Sequence, residues 1–215
     1  MKHPRPPTNP PSLGVIILAA GISARMGRPK LLLPWQGTTV IAHLIHQWQA
    51  VTAAQITVVC RSGDDTLLAE LDHRSFSPQN RIINPHAERG MFSSIQCAAE
   101  WDGWQPGLTA WAIALGDQPH LEPETIRTLL AAHAQNPLAI CQPIRGGHAG
   151  HPILLPSRAF AELKNTSAET LNVFLKQNSG CTVQCLVTDP GLSLDLDTPE
   201  DYNRLKAKHP PNEKR

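Results

Sequence analysis

Small residues and basic side chains are combined between residues 18 and 30, in the sequence LAAGISARMGRPK. The Ala-Ala-Gly at 19–21 lets the backbone approach a ligand closely, and consecutive free N–H groups there can form an anion-binding concavity. Arg25 and Lys30 add positive charge beside it. The spacing of its glycines is not the GxGxxG of dinucleotide-binding folds, and no GK[ST] of a Walker loop follows. The segment therefore predicts a phosphate-binding loop of another kind, with an ordinary turn carrying solvated basic residues as the alternative.

Two carboxylate-bearing segments each accompany a predicted strand. Asp117 follows the apolar run 109–115, and Asp195 and Asp197 alternate around the end of a second run, 192–196, so that they would share a face. Magnesium prefers one or two carboxylates completed by phosphate oxygens and water. We therefore expect Asp117 and Asp197 to bind Mg²⁺, with Asp195 as the alternate ligand and Mn²⁺ as an alternative metal. A role in forming its turn is the simpler interpretation of Asp117 alone.

A second candidate anion site precedes a predicted helix, in the sequence NPHAERGMFSS. Gly90, Ser93 and Ser94 stand where the free N–H groups of the first helical turn could bind an anion. The two serines could equally serve only as helix caps. The residues by themselves leave both roles open.

Short apolar strands alternate with amphipathic helices along most of the chain. The predicted strands are 13–19, 55–60, 81–83, 109–115, 138–144, 181–187 and 192–196, and the predicted helices are 38–51, 64–71, 91–101, 122–134, 158–164, 168–177 and 199–207. This pattern predicts a single doubly wound, mostly parallel α/β sheet with helices on both faces, in which ligands bind beyond the carboxyl ends of the strands. The Gly-rich segment 145–155 is predicted to be a loop or a small excursion from the main sheet.

Composition argues against several classes of function. Lys and Arg number 19 against 18 for Asp and Glu, so no excess of positive charge favours nucleic acid or an anionic membrane. The apolar runs are far shorter than the roughly 20 residues of a membrane-spanning helix. We expect a soluble, cytoplasmic protein with one domain, 13–207, between a disordered Pro-rich lead-in, 1–12, and a disordered tail, 208–215.

The five cysteines are scattered and odd in number, which favours reduced thiols over a disulfide framework. Cys181 and Cys185 would lie on one face of the predicted strand 181–187. Both are predicted to be buried in the core.

Together, the motifs LAAGISARMGRPK, LGDQP and DLDTPED resemble those of the MobA-like nucleotidyltransferases, over about residues 13–205. The resemblance implies the Rossmann-like nucleotidyltransferase fold, a loop from Ala19 to Ser23 that wraps a nucleotide, and basic side chains that neutralise its triphosphate. The nucleotide-binding candidates are Leu18, Ala19, Ala20, Gly21, Ser23, Arg25 and Lys30, and the catalytic candidates are Arg25, Lys30 and Asp117.

Two further segments, NPHAERGMFSS and GGHAGHP, are similar to the molybdenum cofactor cytidylyltransferase branch of that family. This similarity implies that Gly90, Ser93, Ser94 and His151 contact the acceptor. It also implies CTP and molybdenum-bound molybdopterin as substrates, with delivery of the cytosine dinucleotide product to a molybdoenzyme of the xanthine dehydrogenase type. Ala20 favours CTP, because guanylyltransferase relatives commonly have LAGG in place of LAAG.

Three alternatives stay open at the level of sequence. The chain could use GTP, or it could act on another phosphorylated acceptor such as a sugar or polyol phosphate. It could also be a non-catalytic carrier or chaperone of the molybdenum cofactor that keeps the same crevice.

Overall fold

The computed structural model describes residues 12–210, so most of the predicted lead-in, 1–12, and of the predicted tail, 208–215, lies outside the described residues. Ser12 donates its backbone N–H to the Thr109 hydroxyl at 3.1 Å. None of the helices between residues 12 and 210 has the length and apolarity needed to cross a bilayer.

Six of the seven predicted strands form close to their predicted positions, and four short strands form that were not predicted. In chain order they are β1 (Leu13–Leu18), β2 (Pro34–Trp35), β3 (Thr38–Thr39), β4 (Gln55–Arg61), β5 (Arg81–Asn84), β6 (Ala110–Leu115), β7 (Ile140–Arg145), β8 (His148–Ala149), β9 (Ile153–Pro156) and β10 (Thr182–Leu186). The main sheet has the order β10-β7-β9-β6-β1-β4-β5, with β8 paired to β7, while β2 and β3 form a separate hairpin. In the main sheet, only the pairings of β8 and β9 are antiparallel among the described strands.

Helices cover both faces of the sheet, because its central strands are apolar on both sides. The helices are α1 (Val40–Gln49), α2 (Asp65–His73), α3 (Met91–Glu100), α4 (Pro123–Gln135), α5 (Ser157–Glu162), α6 (Leu171–Gln177) and α7 (Pro199–Lys208). One core contains α1, α2, α4 and α7, and the other contains α3, α5 and α6. Alternate residues of β1 enter opposite cores: Val15 and Ile17 the first, Ile16 the second. The predicted doubly wound, mostly parallel fold is confirmed.

The prediction of an excursion at 145–155 is wrong for its second half. Strand β9 lies inside the main sheet between β7 and β6, and all four of its residues are buried. Its register pairs Ile153 with Ile113 and Leu155 with Trp111. A four-residue apolar run beside a glycine-rich loop carries too little periodicity to reveal these long-range pairings.

The predicted strand at 192–196 does not form. Residues Pro190–Ser193 make a short 3₁₀ helix, and the chain then continues extended without joining the sheet. Asp195 and Asp197 therefore share no strand face. Hydrogen bonds from the turn after β6 hold this segment instead of a strand ladder, as described below.

The cysteine prediction is correct for Cys185 and wrong for Cys181. Cys185 is buried on β10, but Cys181 lies in the 3₁₀ turn before that strand and is exposed. All five cysteines are free thiols. Strand β10 begins at Thr182, one residue after Cys181, so Cys181 does not share the inward face of that strand.

Candidate active site

A cavity of about 370 Å³ opens at the carboxyl ends of β1 and β6. These strands are parallel neighbours with Leu18 opposite Leu115, so the loops that follow them begin at the same level. The start of α3 closes a third side. The predicted site residues that line the cavity are Leu18, Ala19, Ala20, Gly21, Lys30, Gly90, Ser94 and Asp117.

The two loops approach each other through a glycine. The Gly116 backbone N–H donates to the Leu18 carbonyl at 3.0 Å. A Cβ atom at Gly116 would lie 2.6 Å from that same oxygen, closer than real Cβ contacts come. Gly116 therefore permits the spacing at which Asp117 faces the residues of the loop after β1. Gly116 was not predicted as a site residue, although its place in LGDQP was a visible signal.

Charged side chains from three segments meet beside the cavity. The Lys30 Nζ lies 2.8 Å from Asp117 Oδ2 and 3.0 Å from Asp197 Oδ1. Arg25 binds the other oxygen of Asp197, with its Nη2 2.5 Å from Oδ2. The Lys30 side chain is 14% exposed and that of Arg25 is 73% exposed, so the lysine holds the inner position and the arginine the rim.

The carboxylates keep Lys30 protonated. Burial acts to lower the pKa of Lys30, but the charges and hydrogen bonds of Asp117 and Asp197 outweigh it and raise that pKa above its ordinary value. For Asp195, which lies at the surface, desolvation of the carboxyl and the nearby charge of Asp117 raise the pKa. Protonated Lys30 thus supplies a fixed cation next to the cavity.

The oxygen atoms that are left over fit a divalent cation. Asp117 Oδ1 is buried and has no hydrogen-bond partner. Asp197 contributes two more carboxylate oxygens nearby, which now contact Lys30 and Arg25. Within residues 12–210, no three His, Cys, Asp or Glu side chains form a ready cage. This donor set suits Mg²⁺, which takes one or two carboxylates and completes its shell with phosphate oxygens and water.

Ser23 and Arg25, which were predicted to bind the nucleotide, do not line the cavity. The Ser23 hydroxyl accepts a hydrogen bond from the Lys30 backbone N–H at 3.1 Å, which closes the loop and sets the start of the lysine side chain. Arg25 stands at the rim, held by Asp197. In this structure Ser23 shapes the loop.

The start of α3 offers free N–H groups to the cavity. Gly90 precedes the helix with φ +91°, a value that favours glycine, and no side chain caps the helix N-terminus. The alternative in which Ser93 and Ser94 serve only as helix caps is therefore wrong. The N–H groups of Gly90 and Ser93 donate to the Ala87 and Gly90 carbonyls, which leaves those of Met91 and Phe92 for an anionic ligand.

Asn84 organises the two serines and was not predicted as a site residue. Its amide nitrogen donates to the hydroxyls of Ser93 and Ser94, both at 2.9 Å, and its oxygen accepts the His86 backbone N–H. The Ser93 hydroxyl is within hydrogen-bond distance of the His86 and Gly90 carbonyls and does not line the cavity. The signal available in the sequence was an asparagine directly after the predicted strand 81–83, and the structure shows it to be buried.

His151 lies at the same edge of the sheet as the cavity because β9 runs antiparallel. The residues just before β9 lie at the edge where β6 ends, and His151 Nδ1 is 3.4 Å from the Ile113 carbonyl oxygen. Burial lowers the pKa of His151, while the charge of Asp117 is near enough to oppose that shift. His151 is half-buried beside the cavity and does not line it.

Helix α7 fixes the position of Asp197. In the motif DLDTPED, a threonine followed by proline predicts a helix cap at Thr198, and the structure confirms it: its hydroxyl accepts the Asp201 backbone N–H, and the Asp201 carboxylate accepts the Thr198 N–H in return. The hydrogen bonds from Thr198 lower the pKa of Asp201. Asp197 directly precedes this rigid start.

The chain matches known nucleotidyltransferases along most of its length. Residues 15–181 match the family model of the MobA-like NTP transferase domain. The molybdenum cofactor cytidylyltransferase of Escherichia coli K12 is 26% identical over 204 residues, covering 92% of this chain and 97% of that protein.

Solved structures share the fold. A nucleotidyl transferase from Methanothermobacter superposes with a TM-score of 0.75 at 20% identity, over 92% of this chain and 97% of the other. The manganese complex of Rv0371c from Mycobacterium tuberculosis H37Rv superposes with a TM-score of 0.62 at 22% identity, over 90% and 97%.

Proposed function

The chain belongs to the MobA-like NTP transferase family, and we propose that this nucleotidyltransferase moves CMP from CTP to molybdenum-bound molybdopterin, giving the cytosine dinucleotide cofactor and pyrophosphate. The observation that carries the proposal is the cluster in which Lys30 lies between Asp117 and Asp197 at the cavity. Similarity to a molybdenum cofactor cytidylyltransferase over nearly the whole of both chains supports the choice of acceptor.

The reaction requires positioning and charge neutralisation more than a protein nucleophile. The terminal phosphate of molybdopterin attacks the α-phosphorus of CTP in line, one P–O bond forms, and the bond to pyrophosphate breaks. Lys30 and Arg25 exchange their carboxylate partners for the triphosphate and stabilise the charge that grows on the leaving group. A phosphate monoester is already anionic near neutral pH, so no general base is needed.

The carboxylates would bind the metal ion. Asp117 and Asp197 would hold Mg²⁺ or Mn²⁺, with Asp195 as the alternate ligand, and the unpartnered Asp117 Oδ1 supports the assignment. When bound, the metal supplies Lewis-acid polarisation of the phosphate oxygens.

The cavity has two sides that suit two substrates. Residues 19–21 and Lys30 line one side, which we assign to the nucleotide; the N–H groups left for it in this loop are those of Ala20 and Gly21, because the Ala19 N–H donates to the Val59 carbonyl at 2.9 Å. The uncapped start of α3 at Gly90 and the Ser94 side chain face the other, which we assign to the acceptor phosphate. Ser93 and His151 do not line the cavity and would support the residues of this acceptor side.

Besides the molybdopterin acceptor and the metal ion, three parts of the proposal go beyond the family. They are the use of CTP, supported by Ala20 in the cavity wall, a cytoplasmic location, and delivery of the product to a molybdoenzyme of the xanthine dehydrogenase type. GTP, a different phosphorylated acceptor and a non-catalytic carrier are the competing functions.

The test is pyrophosphate release with Mg²⁺ and molybdenum-loaded molybdopterin, comparing CTP, GTP and ATP. We expect release with CTP and its loss in Asp117→Asn. Asp102→Asn is the matched control, because Asp102 is exposed and does not line the cavity. Preference for GTP would indicate the guanylyl branch. Pyrophosphate release only with another phosphorylated acceptor would show that molybdopterin is not the acceptor. Delivery of cofactor without any pyrophosphate release would indicate a carrier.

A further inference from the structure

His120 is a buried histidine that does not touch the proposed catalytic cavity. It is 2% exposed and lines a separate cavity of about 410 Å³ between α1 and the start of α4. Its Nε2 lies 3.1 Å from the Gly191 carbonyl oxygen and 3.0 Å from that of Leu194. Because carbonyl oxygens only accept, Nε2 must carry the proton and donate to them.

These two carbonyls belong to the segment that leads to the second carboxylate. Residues 189–197 have no strand ladder, so other bonds must fix them. At the beginning, the buried Asp189 carboxylate accepts the Gly191 N–H at 2.7 Å and the N–H of Glu122 at 2.8 Å. At the end, the capping box of α7 fixes the chain from Thr198 onward.

Within the part of the chain that the structure describes, the hydrogen bonds that reach residues 190–196 from outside the segment come from the turn after β6. Gln118 donates to the Asp195 carboxylate at 3.0 Å, and the Leu196 N–H donates to the Asp117 carbonyl at 3.1 Å. His120 adds its contacts to Gly191 and Leu194. The turn that carries Asp117 thus also holds the segment that carries Asp197.

The contact at Gly191 is tight as well as polar. A Cβ atom there would lie 2.8 Å from His120 Cδ2 and 2.9 Å from Asp189 Oδ1. The backbone is therefore pressed against the imidazole ring. Burial lowers the pKa of His120, which favours the neutral ring with a single N–H.

We propose that His120 is a positioning residue that sets the separation of Asp117 and Asp197 and thereby the affinity of the site for a divalent cation. The inference rests on the proposed function only in that these two carboxylates bind the metal. This role requires a hydrogen-bond donor at Nε2 and does not require a positive charge on the imidazole ring.

The test compares Mn²⁺ affinity, measured by electron paramagnetic resonance on the full chain, among three variants. His120→Leu removes the donor, and we expect its Mn²⁺ dissociation constant to rise about tenfold. His120→Gln brings an amide N–H₂ near the position of Nε2, and we expect it to recover most of that loss. His46→Leu is the matched control: His46 lines the same cavity but makes no hydrogen bond to residues 189–197, so its affinity should equal that of the unmutated protein.

Equal Mn²⁺ affinity in His120→Leu and the unmutated chain would overturn the proposal, as would equal losses in the Leu and Gln variants. If His120→Leu does not fold by circular dichroism, His120→Asn takes its place, because its shorter amide does not reach the two carbonyls. Asp117→Asn separates the two hypotheses. If it retains Mn²⁺ binding, the metal site and the positioning role are both wrong; if it loses binding while His120→Leu does not, only the positioning role is wrong.

Discussion

Lys30 is the residue whose surroundings say most about the site. A lysine ammonium with low exposure contacts two carboxylates from different segments, and one oxygen of Asp117 is left without a partner. Such a cluster costs desolvation energy, and its contribution to folding is modest. A more direct explanation is that Lys30 exchanges the carboxylates for phosphate oxygens when a nucleotide and a metal bind.

Lys30→Met tests this exchange of partners. We expect nucleotidyl transfer to fall by roughly two to three orders of magnitude, because one cation that stabilises the leaving pyrophosphate is lost. Mn²⁺ binding without nucleotide should become tighter, because the ammonium no longer competes for Asp117 and Asp197. Steady-state kinetics and Mn²⁺ titration measure the two effects. The control is Lys164→Met at an exposed lysine, and unchanged transfer in Lys30→Met would contradict the assignment.

Gly21→Ala separates ligand binding from folding. A Cβ atom at Gly21 would meet no atom within 4 Å, so the thermal unfolding midpoint should stay unchanged or rise slightly. The added methyl group would enter the cavity wall, so we expect the KM for CTP to rise while kcat changes less. Gly180→Ala, also in open space but away from the cavity, should alter neither value. An unchanged KM in Gly21→Ala would argue against nucleotide binding along this loop.

At the scale of elements, the site depends on where the strands end. Strands β1 and β6 are in register at Leu18 and Leu115, which places two loops at one edge of the sheet. Because β9 is antiparallel, His151 and Pro152, which directly precede it, lie at that same edge. A parallel strand in this position would have placed His151 at the opposite edge.

Gly116→Ala should weaken the junction between the ends of β1 and β6. The new Cβ would meet the Leu18 carbonyl oxygen, which belongs to the backbone of a central strand and cannot easily move. We expect a loss of about 1–3 kcal/mol in the free energy of unfolding, measured by urea denaturation. Gly180→Ala is again the control, because its Cβ would contact nothing. A Gly116→Ala variant as stable as the control would show that this close approach is not needed.

At the scale of the whole molecule, buried histidines link stability to pH. Burial lowers the pKa of His43, His120, His133 and His151 below the ordinary 6.5. A histidine with a lowered pKa takes up its proton more readily when the chain is unfolded. Its contribution to stability is therefore present above pH 6.5 and is lost as the pH falls below it.

The free energy of unfolding should thus decline from neutral pH to about pH 5, because four histidines outweigh the one carboxyl with a raised pKa, Asp195, and the carboxylates with lowered pKa do not yet act. These carboxylates are Glu70 and Asp201. Their contributions to stability are lost only when the pH falls below their ordinary pKa values of 4.5 and 3.8. Urea denaturation across this range measures the decline. His133→Gln should make it shallower, whereas His148→Gln, at an exposed position, should not. Stability that rises toward pH 5 would contradict the prediction.

The sequence by itself determined the family, the doubly wound sheet and the cap of α7. These follow from local signals: apolar runs such as β1, the motif LAAGISARMGRPK, and Thr198 followed by proline and acidic residues. The residues of the proposed site were also named from their motifs, and their roles in binding remain predictions that the experiments above address.

Only the tertiary structure decided how the segments meet. The insertion of β9 beside β6 joins residues about 40 apart, and the bonds from His120 to Gly191 and Leu194 span more than 70. Residues 192–196 have the apolar alternation of a strand, yet their backbone groups bind the turn after β6 and form no ladder. Periodicity reports which side of an element is buried, whereas the partner that satisfies each buried polar group is fixed only when distant segments pack together.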